Sequence, residues 1–174
     1  MISATKAPSI AVRALARLVA ASVTFQALVE ATGDEAAEKE ADALQHVYWL
    51  EASDRKASET GEDEHPRPRA IITDLQFERR EVGIASWQTT GSLVLTIEAW
   101  EPEEISGGET DEIRDRYDWW SEIWGAILGE CEEAKYAAPH QRLNMISWSL
   151  LGGDENRHRN ERVWFDVSLE VRFF

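Results

Sequence analysis

Cys131 is the only cysteine in the chain, so no disulfide can form within it and no thiol cluster can hold zinc. Histidine is scarce as well. His46, His65, His140 and His158 lie far apart, with no H-E-x-x-H or H-x-x-x-H spacing, which favours solvated or capping roles over ligation. Gly107–Gly108 precedes a helical pattern without the residues of a phosphate loop or a dinucleotide turn, so it reads as a hinge or turn. No G-x-S-x-G elbow and no D-x-[DN]-x-[DN]-G calcium loop occurs. No stretch reaches the ~18 consecutive apolar residues of a membrane span. The opening MISATKAPSIAVRALARLVAASVTF has signal-peptide features, but Arg13 and Arg17 interrupt its apolar core. A helix in a cytoplasmically made protein is the expectation there.

Bases are also short: 18 Lys and Arg face 33 Asp and Glu, for a formal charge of −15. The imbalance is local. Residues 34–66 carry −8 and 101–135 carry −9, while 67–100 and 136–174 are neutral and 1–33 is +2. Such a body repels phosphate backbones and anionic lipid rather than gripping them. What the chain does have is tryptophan, eight in 174 residues. Each buries a large area and has one N–H to satisfy, so a surplus suits a thick core or an interface. The length suits one domain, 1–174.

Apolar spacing predicts a helix from Ser9 to about Ala31, through Val12, Leu15, Leu18 or Val19, Phe25 and Leu28 or Val29, with Gly33 as its C-cap. Asp34 is placed to cap a short acidic helix, and HVYWLEA (46–52) can form a strand. SDRKASETGEDEHPRP (53–68) reads as a mobile loop. RAIITDLQFERR (69–80) sets Ile71, Thr73, Leu75 and Phe77 on one face of a strand. After a loop containing Trp87, GSLVLTIEAW alternates Leu93, Leu95, Ile97 and Ala99 against Val94, Thr96, Glu98 and Trp100. Thr110 opens a second long helix whose apolar stripe runs Ile113, Tyr117, Trp120, Trp124, Ile127 and Cys131.

The chain closes on a hairpin with arms at 142–152 and 161–174 and a mobile tip at 153–160. Its last arm puts Val163, Phe165, Val167, Leu169, Val171 and Phe173 inward. The class expected is α+β: a mainly antiparallel sheet with two long helices packed on it and a C-terminal β-hairpin.

None of the candidate chemistry points to an enzyme. Cys131 sits on an apolar stripe and reads as an inert thiol. Glu101, Glu103, Glu104, Glu109, Asp111, Glu112, Asp115 and Asp118 crowd one stretch, where acids on loops and outer helix faces are mostly solvated. Arg157, His158, Arg159 and Arg162 cluster at the hairpin tip and suit an acidic protein neighbour better than nucleic acid. Trp119, Ile123, Trp148 (or Met145), Trp164 and Phe174 give several elements a second apolar face. A second helix layer, which the first helix could supply, would cover it, and so would a neighbouring subunit. The residues imply no cofactor and no metal.

Several segments together resemble tail terminator (tail completion) proteins of long-tailed phages and prophages. They are VRALARLVAASVTFQALVEATG, HVYWLEA before a proline-containing loop, RPRAIITD, GSLVLTIEAW, DEIRDRYDWWSEIWGAI and the closing VWFDVSLEVRFF. The likeness is one of pattern and element order across nearly the whole chain. It implies a small virion subunit that forms a ring, commonly a hexamer, near the head–tail junction. Such a ring caps the tail tube, offers a joint to the head connector, and lets DNA pass without binding it. The resemblance brings no catalytic residues with it. Alternatives are another connector or tube subunit, an enzyme using the acidic stretch, or an acidic adaptor.

Overall fold

The computed structural model of the chain describes residues 7–49, 68–83, 86–100, 110–134, 146–159 and 162–173. Alanine-rich, well-spaced apolar sequence gives α1 (Ala7–Ala21), which buries Val12, Leu15, Leu18 and Val19. The helix expected to run to Ala31 is broken at Ser22. That residue takes an extended conformation (φ −63°, ψ 123°), and its Oγ accepts the Phe25 N–H at 3.0 Å, capping a new helix α2 (Val23–Leu28). The Gln26 amide donates to the Ala20 carbonyl at 2.8 Å, which satisfies part of the C-terminus of α1.

α2 ends well before Gly33, with Glu30 in the left-handed region (φ 54°) just after the cap residue Val29. Gly33 has another use. At φ 141° it lies so close to the next helix that a Cβ there would meet the Glu38 Cβ at 2.6 Å. That helix, α3 (Ala36–Leu44), is capped by Glu35 rather than Asp34, and Glu38 Oε2 accepts the Asp34 and Glu35 N–H groups at 2.9 and 3.3 Å. Thr32 clips the far turn, donating its N–H and Oγ–H to Asp42 Oδ2 at 2.7 and 2.9 Å. Those bonds hold the Asp42 carboxyl below its ordinary range.

The strands are β1 (Val47–Trp49), β2 (Arg69–Gly83), β3 (Ser86–Trp100), β4 (Ile146–Arg159) and β5 (Arg162–Phe173), with the long helix α4 (Thr110–Ala134) between β3 and β4. They form one sheet in the order β1-β2-β3-β5-β4. The sheet is mixed: β1 runs parallel to β2, and the other three pairings are antiparallel. Helices with a mixed sheet make the chain α+β. His46 anchors the parallel pair, its Nδ1 donating to the Pro68 carbonyl at 3.2 Å while its own carbonyl accepts the Ala70 N–H at 2.9 Å.

Two segments expected as loops belong to strands. Trp87 lies in β3, opposite Glu81, and residues 153–159 continue β4. Cross-strand pairing supplies what their glycine-rich and polar composition lacks in intrinsic strand preference. Of the loop expected at 53–68, only Pro68 falls within the described residues, in a bend before β2.

The core lies between the helices and one face of the sheet. Val12, Leu15, Leu18, Val19, Phe25 and Ala43 pack with Ala70, Ile72, Leu95, Ile97 and Ala99, and with Ile127 and Cys131 of α4. The helix face of β2 is therefore Ala70 and Ile72, not Ile71 and Thr73. Since α1 and α4 share this one cluster, α1 is no second layer on the opposite face. Register continues the apolar face into β5, with Val167, Phe165 and Val163 opposite Leu95, Ile97 and Ala99.

Candidate functional site

On the other face of β2 and β3, alternation puts Arg69, Ile71 and Thr73 beside Glu98 and Thr96, and all five are buried. Arg69 and Glu98 are direct cross-strand partners. Arg69 Nε donates to Glu98 Oε2 at 2.7 Å, with the two residues 0% and 5% exposed. A buried ion pair seldom adds net stability over apolar residues of similar size, but removing one partner strands the other charge.

A second carboxylate sits at the α1–α2 break. Ser22 Oγ and the Thr24 N–H donate to Glu130 Oε2 at 2.6 and 3.0 Å, and Thr24 Oγ donates to Oε1 at 2.6 Å. One side chain of α4 thus fastens the start of α2. Partial burial opposes ionisation of Glu130, but these bonds outweigh it and hold the carboxyl below its ordinary 4.5. The neighbouring Cys131 thiol is pushed up to about 12, first by burial and then by Glu130 and Glu132. At neutral pH it stays protonated and non-nucleophilic.

The interface candidates scatter. Trp119 and Ile123 are half-buried and pack against the helix-side core, flanking rather than leaving the α4 stripe. Trp148 pairs with Val171 and Trp164 with Arg157, seven positions apart along β5 or about 23 Å at strand rise, so they form no single patch. Phe174 lies outside the described residues. The basic candidates do converge. Arg157, His158 and Arg159 pair with Trp164, Val163 and Arg162 at the closed end of the β4–β5 ribbon. Further along, the same ribbon sets Asp154 opposite Asp166, beside a register shift.

Sequence reasoning missed three features. Trp49, on edge strand β1, is 58% exposed, and Val23 and Leu44 are also open at 70% and 37%. The outer face of α4 presents Asp118, Glu122, Gly125, Gly129 and Glu133, all exposed. The Arg69–Glu98 pair was hidden because its members lie 29 residues apart, and only strand register joins them. The α4 stripe could have been found as the complement of the apolar one, since its residues recur at i, i+4, i+7, i+11 and i+15.

Among the described residues, no three His, Cys, Asp or Glu side chains are grouped as metal ligands would be, and no helix is long and apolar enough to cross a membrane. Neither a protein-family model nor a curated protein matches this chain.

Proposed function

We propose that this chain is a structural subunit of a virion tail, of the tail-terminator kind, which associates with copies of itself into a ring at the head–tail junction. The observation that carries self-association is Trp49: a large aromatic side chain, 58% exposed, on a strand at the edge of the sheet. An edge strand presents unpaired backbone groups that can template pairing with another chain, and Trp49 adds exposed aromatic area beside them. The order of elements supports the kind of subunit: helix, short helix, edge strand, hairpin, long helix, closing ribbon.

The role needs no catalytic group, cofactor or membrane contact. Its partners are further copies of the chain, the tail tube and the head connector. The fold that goes with it is one domain over 1–174, its sheet antiparallel except at β1. Six copies of −15 make about −90, a field that keeps DNA from adhering as it passes. Acids of α3 and α4 lining the lumen would serve that end. A ring with those acids outside and a basic lumen would contradict this use of the charge.

Negative-stain imaging of the purified chain tests the proposal. Annular particles with a central hole are expected. Compact particles of single-subunit size at every concentration would overturn it.

A further inference from the structure

We infer that the Glu130 carboxylate is the latch of a two-position joint between α1 and α2. Closed on Ser22 and Thr24, it holds the two helices apart. Withdrawn, it lets residues 7–28 run on as one helix. The inference is independent of self-association.

Local sequence does not oblige the helix to stop. No glycine or proline lies between Pro8 and Gly33. Leu15, Leu18, Ser22, Phe25 and Val29 recur at spacings of three and four across the break, and all five are buried. One continuous helix would therefore carry the same face. Ser22 supplies a cap, but serine also sits inside helices. Sharp helix breaks arise at proline, at glycine, at a bulge or where a side chain enters the ladder, and the side chain that enters here is Glu130.

The bonds exchange one for another. In a continuous helix the N–H groups of Val23, Thr24 and Phe25 would donate to the carbonyls of Val19, Ala20 and Ala21. Instead the Thr24 N–H donates to Glu130 Oε2 at 3.0 Å, the Val23 N–H is a further donor toward that carboxyl, and the Phe25 N–H donates to Ser22 Oγ at 3.0 Å. The released carbonyls are used as well. Val19 accepts the Ser22 N–H at 3.1 Å, and Ala20 accepts the Gln26 amide at 2.8 Å. The Ser22 and Thr24 hydroxyls, each 2.6 Å from Glu130, tie the carboxylate to the break itself.

The three N–H donors are satisfied in either arrangement, so the balance rests on the one acceptor that is charged. Bonds to a carboxylate are about twice as strong as neutral ones. Without that acceptor, the Val23 and Thr24 N–H groups need new partners, and the carbonyls at the end of α1 are the nearest.

The carbon-13 shifts of Ser22 read the joint, because they follow its backbone angles. In the wild type they should be those of extended backbone, matching φ −63° and ψ 123°. Glu130→Ala should move them into the helical range, with α1 and α2 still helical on either side. Val23→Pro is the control. Val23 is 70% exposed, and proline suits the first position of α2 and the extended residue before it, but it breaks a helix that runs through it. Added to Glu130→Ala, it should return Ser22 to extended shifts. Glu130→Gln, which keeps the shape and loses the charge, should move Ser22 part of the way. A folded Glu130→Ala whose Ser22 stays extended would overturn the inference, since the serine cap alone would then set the break. Melting of α2 in place of fusion would overturn it too. If Glu130→Ala does not fold, Glu130→Gln decides, and shifts identical to the wild type count against the latch.

Discussion

Where residues 69–73 of β2 meet residues 95–99 of β3, the two faces of the sheet are both buried but differently made. Toward the helices lie Ala70, Ile72, Leu95, Ile97 and Ala99, where burial of apolar area and close packing stabilise the fold. On the reverse lie Arg69, Thr73, Thr96 and Glu98 around Ile71, where stability depends on each polar group keeping its partner. The first face tolerates a change of shape at a cost graded by volume. The second tolerates paired replacement far better than single deletion. Alternation in the sequence is the same in both cases, so burial alone does not say which physics operates.

Breaking the comparison starts with the ion pair. Arg69→Ala should cost about 3–5 kcal/mol by leaving the Glu98 carboxylate buried without its guanidinium. Arg69→Met/Glu98→Leu should cost much less than that single change, as read by denaturant unfolding. Equal losses would mean that the reverse face is packed like the helix side. Ile97→Ala, on the helix side, should cost about 3 kcal/mol through the cavity it leaves, with no partner able to rescue it.

A smaller effect is expected at the α1–α2 break. Glu130→Gln should cost about 1 kcal/mol through weakened bonds from Ser22 and Thr24. The Glu130 carboxyl is held below 4.5 in the folded chain, so its contribution is full above that value and is lost as pH falls through the lowered one. Stability measured from pH 7 to pH 3 should therefore fall less steeply in the glutamine variant. The smallest effect is a gain: Gly125→Ala should raise the thermal stability of the unassembled chain by up to about 1 kcal/mol, because its Cβ meets open space.

Much of the fold was legible in the sequence. The periods of α1, α4 and β5 are long enough to identify the elements, and Ile127 and Cys131, at the end of the predicted α4 stripe, are buried. What failed did so through contacts distant in sequence. The Ser22 break depends on a carboxylate 108 residues away, and the strand identity of 153–159 depends on pairing with β5. Gly33 carried the right signal for the wrong reason: its positive φ answers to the approach of α3, not to the end of α2. For the candidate surfaces, clustering of Arg157, Arg159 and Arg162 was readable because they are neighbours in sequence. The burial of Trp119 and Ile123 against the core and the exposure of Trp49 required the packing itself.

The most direct test of self-association is the solution mass of the purified wild-type chain, measured by light scattering across a hundredfold range of concentration. A subunit of 19.7 kDa should give a species several times that mass, about 118 kDa for a ring of six, that persists or reforms as concentration rises. A constant 19.7 kDa over the whole range would contradict it.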